Sequence, residues 1–276
     1  VPAQGGVVRV QHEARGEGRP VLFIHGLTFD RRMLLEASEP AFEGARARRL
    51  YVDLPGHGAT PADERAASAE GLVAALAAFV DESCDEPPLV VGHSYGAYLA
   101  LGLMATRPVS ALLLVAPVVE PDVARRVVAP RRVAVREDAL AFGEADDERA
   151  TFEEVSVVQT HTTLAAYQRL VQPASVATDR AFLGLVRQRY VLPWPFYARL
   201  AELALPVSIV CGRDDHWVGY TDAQALLRAS PHAELQVLPD CGQLLPLEAP
   251  TRYREAVTGF LARNGYSRIA TETALD

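Results

Sequence analysis

Apolar residues fall into short continuous runs bounded by glycine and proline. Between them lie longer stretches whose apolar positions recur every three or four residues. The runs cover 7–13 (VVRVQHE), 20–26 (PVLFIHG), 48–56 (RRLYVDLPG), 88–94 (PLVVGHS), 109–117 (VSALLLVAP), 205–212 (LPVSIVCG) and 233–240 (AELQVLPD). The runs at 88–94, 109–117 and 205–212 do not alternate with polar residues, as expected of strands buried on both faces of a parallel sheet. Helical spacing is found in 64–82, in 95–107, in 221–230 with a cap at Thr221 or Asp222, and in 248–265, where Pro250 lies near the start and Gly265 marks the stop. Strands alternating with helices predict a doubly wound α/β fold. Residues 118–203 break the alternation, with helical patterns such as 148–170 and no clear strand. The expected division is a core of 1–117 and 204–276, with 118–203 inserted as a helical cap or lid at the end of the sheet where sites form.

Composition narrows the classes. A chain of 276 residues, 49% hydrophobic, is long enough for one sizeable core, and a net charge of −8 leaves no basic footprint for nucleic acid. All 27 basic residues are arginine, so lysine Schiff-base and lysine general-base chemistry are excluded. Arginine in place of lysine, with abundant Ala and Val, points to a GC-rich bacterial gene. Cys84, Cys211 and Cys241 are too few and too scattered for a disulfide framework or a zinc site, so no metal or cofactor is expected. No run approaches the ~18 apolar residues of a membrane span. The first residues lack a charged segment followed by an apolar one, and a cytoplasmic protein with no membrane partner is expected.

Gly92-His93-Ser94-Tyr95-Gly96 is a G-x-S-x-G motif with a strand before it and a helix after it. Glycines there permit a sharp strand-to-helix turn that thrusts the Ser94 hydroxyl outwards, and the Tyr95 N–H at the helix start can face a developing oxyanion. In FIHGLTFDRRM the chain leaves a strand at His25-Gly26, and the Leu27 N–H offers a second oxyanion donor. His25 is read chiefly as a loop-packing residue. Asp53 and His57 of DLPGHG organise a turn.

HG after a strand, DLPGHG, GHSYG and GRDDHW, in this order, resemble the α/β-hydrolase superfamily over most of the chain outside the insertion. The resemblance implies a mostly parallel sheet of about eight strands and a Ser-acid-His triad in that chain order. It places the acid last in a G-x-x-D, which matches Gly212-Arg213-Asp214-Asp215 and points to Asp215, with Asp214 as the alternative. It places the histidine after the last strand, in Gly-His followed by apolar residues and Glu-x-Pro. Here that stretch reads Gly242-Gln243-Leu244-Leu245-Pro246-Leu247-Glu248-Ala249-Pro250, with glutamine at the base position.

A serine hydroxyl needs a base to accept its proton, and an amide has no accessible pKa for that task. Four readings follow. Gln243 is an engineered replacement of a histidine; another histidine (His93, His161 or His216) takes over; the site performs non-hydrolytic chemistry such as cyclisation, aldol-type addition or elimination, with Ser94 and Gln243 as hydrogen-bonding groups; or the protein binds a ligand without turning it over. The first two leave hydrolysis of an ester, thioester or C–C bond. The substrate is expected to be small and largely apolar, held by His25, Phe29, His93, Tyr167, Trp194, Trp217 and Leu244. Arg125, Arg126, Arg131, Arg132 and Arg136 form either a solvated face or a patch for an acidic carrier domain or a substrate carboxylate. Cys241, two residues before Gln243, is read as buried and structural rather than reactive.

Overall fold

In a computed structural model, which describes residues 8–143 and 147–266, the apolar runs become β1 (His12–Arg15), β2 (Arg19–Ile24), β3 (Ala47–Val52), β4 (Leu89–His93), β5 (Ala111–Val115), β8 (Val207–Gly212) and β9 (Ala233–Leu238). They form one sheet in the order β1-β3-β2-β4-β5-β8-β9, in which only the β1–β3 pair is antiparallel. Side chains alternate across it. Leu22, Ile24, Val90, Leu112, Leu114 and Ile209 enter one core layer, and Val21, Phe23, Val91, Leu113, Val115 and Val210 the other. Both layers are closed by helices. α2 (Ala69–Ser83), α3 (Tyr95–Thr106) and α9 (Gln224–Ala229) cover the first; α1 (Arg31–Ser38) and α11 (Pro250–Arg263) cover the second. Burial of each such Val, Leu or Ile is worth about 1.5–3 kcal/mol, which makes continuous apolar strands stable only between two helical layers.

The sheet has seven strands among the described residues, not about eight, and the first is shorter than its apolar run. Residues 8–11 lie outside any strand, while residue 7 falls outside the described chain. Val10 is buried in the core, but Gln11 is held by the 53–60 turn: its N–H donates to Thr60 Oγ1 (2.9 Å) and its carbonyl accepts from Asp53 N (2.9 Å). Helix α9 starts without a side-chain cap. Thr221 and Asp222 form the preceding turn through their carbonyls, and the Asp222 carboxylate accepts from Val127 N at 3.1 Å. The last helical stretch is split into α10 (Leu245–Glu248) and α11, because the residue before Pro250 is pushed out of helical geometry.

The insertion between β5 and β8 carries α4 (Glu148–Val155), α5 (His161–Ala166), α6 (Gln172–Ala177), α7 (Arg180–Gln188) and α8 (Phe196–Glu202). It also carries two strands the apolar pattern did not indicate, β6 (Val135–Arg136) and β7 (Val158–Gln159), paired in parallel. Helices α5 and α6 are joined by a wide π-helical turn, Tyr167–Val171. Pro173 follows it and lacks the N–H an α-helix would direct back into that turn. Tyr167 and Val171 both face the cavity described next. No helix among the described residues is long and apolar enough to cross a membrane.

Candidate active site

Ser94 occupies the single-residue corner between β4 and α3 with φ +54° and ψ −120°. This conformation costs a non-glycine residue about 1–3 kcal/mol and persists only where the surroundings enforce it. Two close approaches do so. Gly92 lies against the Ala97 backbone, where a Cβ would come within 2.5 Å of Ala97 Cα, and Gly96 lies against the carbonyls of Ile24 and His25. The loop after β2 is equally constrained. Thr28 has φ +66°, and Phe29 N–H closes a turn onto Gly26 O at 3.3 Å. Neither the Leu27 N–H nor the Tyr95 N–H donates to any acceptor among the described residues. Both belong to residues lining a cavity of about 550 Å³ that also takes in Ser94, Phe29, Tyr167, Trp217, Val218 and Gln243.

Four residues expected at the pocket wall are elsewhere. His25 is fully buried below the loop; its Nδ1–H donates to Gly26 O (2.7 Å) and its Nε2 accepts from Leu54 N (3.0 Å). His93 is also fully buried, and its Nε2–H donates to the Gln243 carbonyl at 2.9 Å. Leu244 packs wholly into the core. Trp194 faces a separate cavity of about 440 Å³ with Tyr98, Phe196 and Tyr197. In each case local backbone direction decides: His93 ends a strand whose next residue carries the exposed hydroxyl, and Leu244 follows the residue that faces the cavity. Arg187, Tyr190 and Thr28 line the cavity without having been singled out, because helix rotation and loop path, not motif, put them there, and Arg126, expected in a solvated face or in a patch for an acidic carrier domain or a substrate carboxylate, lines it too. Arg125, Arg131, Arg132 and Arg136 are paired with Glu120, Glu154, Asp214 and Glu153, respectively.

Asp214 and Asp215 differ sharply. The Asp214 carboxylate is engaged by Arg132 at 2.8 Å. Asp215 is fully buried, and its Oδ1 accepts from Trp217 N (2.8 Å) and Val218 N (3.0 Å). Its Oδ2 has no partner among the described residues, nor has Gln243 Oε1. Burial raises the Asp215 pKa, against the backbone donors that favour the anion. The loop carrying Gln243 is anchored by Glu248, whose carboxylate accepts from Gly242 N (2.6 Å), Val157 N (2.6 Å) and Val158 N (3.3 Å), tying it to the insertion. Burial pushes Glu248 up to about 7 and the Cys241 thiol up to about 12, so Cys241 is a packed, inert side chain.

A sequence model described as the alpha/beta hydrolase family matches residues 21–256. The chain belongs to the α/β-hydrolase family. Monoacylglycerol lipase ABHD6 of Mus musculus is 24% identical over 266 residues, which cover 89% of this chain and 77% of that one. An α/β superfamily hydrolase from Oenococcus oeni PSU-1 superposes with a TM-score of 0.85 at 23% identity, over 94% of this chain and 97% of the other. The esterase EaEST from Exiguobacterium antarcticum gives 0.71 at 16% identity, over 92% and 95%. The two solved structures establish the likeness of fold. The protein is thus a hydrolase-family enzyme, with a glutamine at position 243.

No histidine of this α/β-hydrolase lines the cavity among the described residues. His161 is exposed and bonded to Glu137 Oε2 at 2.7 Å, and His216 Nε2–H donates to Glu154 O at 2.8 Å. The three buried histidines are structural. His57, in the turn that Asp53 organises, donates from Nδ1 to Pro55 O at 2.9 Å, and burial above all, with His25 beside it, pushes its pKa down from 6.5 to about 4. The folded ring stays neutral where the unfolded one takes a proton. Its contribution to stability is therefore complete above about pH 6.5 and is lost as pH falls towards 4. His57→Asn is expected to lower stability at pH 7.5 but to lose about 2 kcal/mol less than the parent between pH 7.5 and 5. Urea unfolding at the two pH values measures this, and equal pH slopes would contradict a neutral ring.

Proposed function

We propose that this α/β-hydrolase-family enzyme acts on a small, largely apolar carbonyl compound by stabilising a developing oxyanion through hydrogen bonds, without an acyl-enzyme. The observation carrying this reading is the absence of any histidine among the described residues lining the cavity, together with an amide at the base position. In this reading the Leu27 and Tyr95 N–H groups receive the oxygen on which charge develops. The Ser94 hydroxyl and the Gln243 amide hydrogen-bond the substrate, the turn carrying Asp215 supports the Gln243 loop through Asp214 N–H to Cys241 O, and the 118–203 insertion is the lid. Such preorganised donors act strongly in a water-excluded site because they need no reorganisation as charge forms. Cyclisation, aldol-type addition and elimination all pass through enolate or alkoxide character and fit this arrangement.

The strained Ser94 corner favours a second reading, hydrolysis of an ester, thioester or C–C bond through Ser94, since that geometry serves an attacking hydroxyl. A fluorophosphonate separates the two. The protein as it stands is expected to give no Ser94 adduct by intact-mass spectrometry after hours of incubation. Stoichiometric labelling of Ser94 would sink the hydrogen-bonding mechanism and leave the hydrolytic one.

A further inference from the structure

The cavity that holds Ser94 also holds two guanidinium groups, Arg126 from the start of the insertion and Arg187 from α7. Neither has a carboxylate partner among the described residues. The nearby acids are engaged by other arginines: Glu120 by Arg125 at 3.4 Å, and Glu154, which also lines the cavity, by Arg131 at 3.7 Å. Arg126 is fixed by backbone carbonyls instead. Its Nε donates to Glu120 O (2.9 Å), its Nη1 to Trp217 O (3.1 Å) and its Nη2 weakly to Pro121 O (3.5 Å). A cation held by neutral acceptors keeps its charge for a further partner and loses little side-chain entropy on meeting one.

Tyr190 links this end of the cavity to the oxyanion donors. Its ring stacks on Tyr95 at 4.2 Å between centroids, and its carbonyl accepts from Tyr95 Oη at 2.9 Å. Its hydroxyl lies in the field of Arg126 and of Arg187, although burial still pushes its pKa up to about 12. A ligand reaching from Ser94 past the Tyr95–Tyr190 pair therefore meets two cations after an aromatic wall.

Building on the function proposed above, we infer that the substrate is an apolar molecule with a carboxylate at the end remote from its reacting carbonyl, and that Arg126 and Arg187 bind that carboxylate. Planar guanidinium groups match a planar carboxylate with paired N–H donors.

The test measures binding rather than turnover, so it does not depend on the reaction catalysed. 4-Phenylbutanoate and its neutral amide are titrated calorimetrically into the whole protein at low salt. The carboxylate is expected to bind at least about tenfold tighter, a step of about 1.4 kcal/mol. Arg187→Gln, at an exposed position, should bring that ratio close to one, and Arg126→Gln should do the same if it folds. Equal affinities, no binding of either compound, or a ratio unaltered by Arg187→Gln would overturn the proposal. Ser94 labelling by a fluorophosphonate would remove the hydrogen-bonding mechanism while leaving this preference intact, so the two failures are distinguishable.

Discussion

Gln243→His is expected to raise aryl-ester hydrolysis by at least about a thousandfold over the parent and to make Ser94 reactive towards fluorophosphonates. Removing the base from a serine hydrolase costs about a million-fold in kcat, so restoring one to an intact frame recovers part of that. The remaining parts are in place. Ser94 already holds its strained corner at φ +54°. The Leu27 and Tyr95 N–H groups have no other acceptor among the described residues. Asp215 Oδ2 has none of its donors either, although Oδ1 takes two. The acid loop and the base loop are in direct contact, since Asp214 N–H donates to Cys241 O at 3.0 Å. The 243 carbonyl is fixed from below by His93 Nε2–H, so an imidazole there inherits the position of the amide. The new ring is expected to donate from one nitrogen to Asp215 Oδ2 and accept from Ser94 Oγ at the other, which an amide cannot do with a transferable proton. Gln243→His with Ser94→Ala should return hydrolysis to background. A folded Gln243→His variant that is inert to esters and to the probe would mean that Asp215, position 243 and Ser94 are not aligned.

The elements readable in the sequence are those where one local signal agrees with tertiary packing. Continuous apolar runs became parallel strands because helices cover both faces, and G-x-S-x-G between a strand and a helix became the strained corner. The failures have particular causes. β1 is an edge strand with mostly exposed side chains, so the apolar run beside it, whose Val10 packs into the core, drew the predicted strand too far forward. β6 and β7 are two residues each, too short for any period to register. His25 and His93 adjoin sequence motifs, yet they serve the loops from beneath: one holds the turn at Gly26, the other the Gln243 loop. Arg126 was read with four other arginines as either a solvated face or a patch for an acidic carrier domain or a substrate carboxylate, and only its carbonyl partners and the cavity distinguish it from the four that are paired with acids. Motifs named Leu27, Ser94, Tyr95 and Gln243, which line one cavity. The substrate-facing end depended on which side of each inserted helix faces inward.

Gly96→Ala is expected to abolish soluble expression or to cost more than about 4 kcal/mol, whereas Gly184→Ala, also within a helix, should be neutral or stabilising by up to about 1 kcal/mol. Gly184 lies in α7 with nothing within 4 Å of an added Cβ, so only its helix propensity changes. Gly96 lies in the first turn of α3, and its added methyl would overlap the carbonyl oxygens of Ile24 and His25. Those are backbone atoms at the end of β2, which is paired with β3 on one side and β4 on the other. No side chain can rotate away; either α3 lifts or the central ladder opens. The same contact sets the site. With Gly26 so close to Ser94 that its own Cβ would come within 2.9 Å of Ser94 Cβ, the approach of α3 to the end of β2 brings the Leu27 and Tyr95 N–H groups to one place. Should a Gly96→Ala protein fold, the helix will have moved by a few tenths of an ångström or more, and the fluorophosphonate reactivity installed by Gln243→His should then fall about a hundredfold or further, the effect of losing one oxyanion donor. Circular dichroism and urea unfolding compare the two alanine variants, and labelling kinetics in the Gln243→His background read the site. A Gly96→Ala protein of parental stability and undiminished labelling would show that neither fold nor oxyanion geometry depends on this contact.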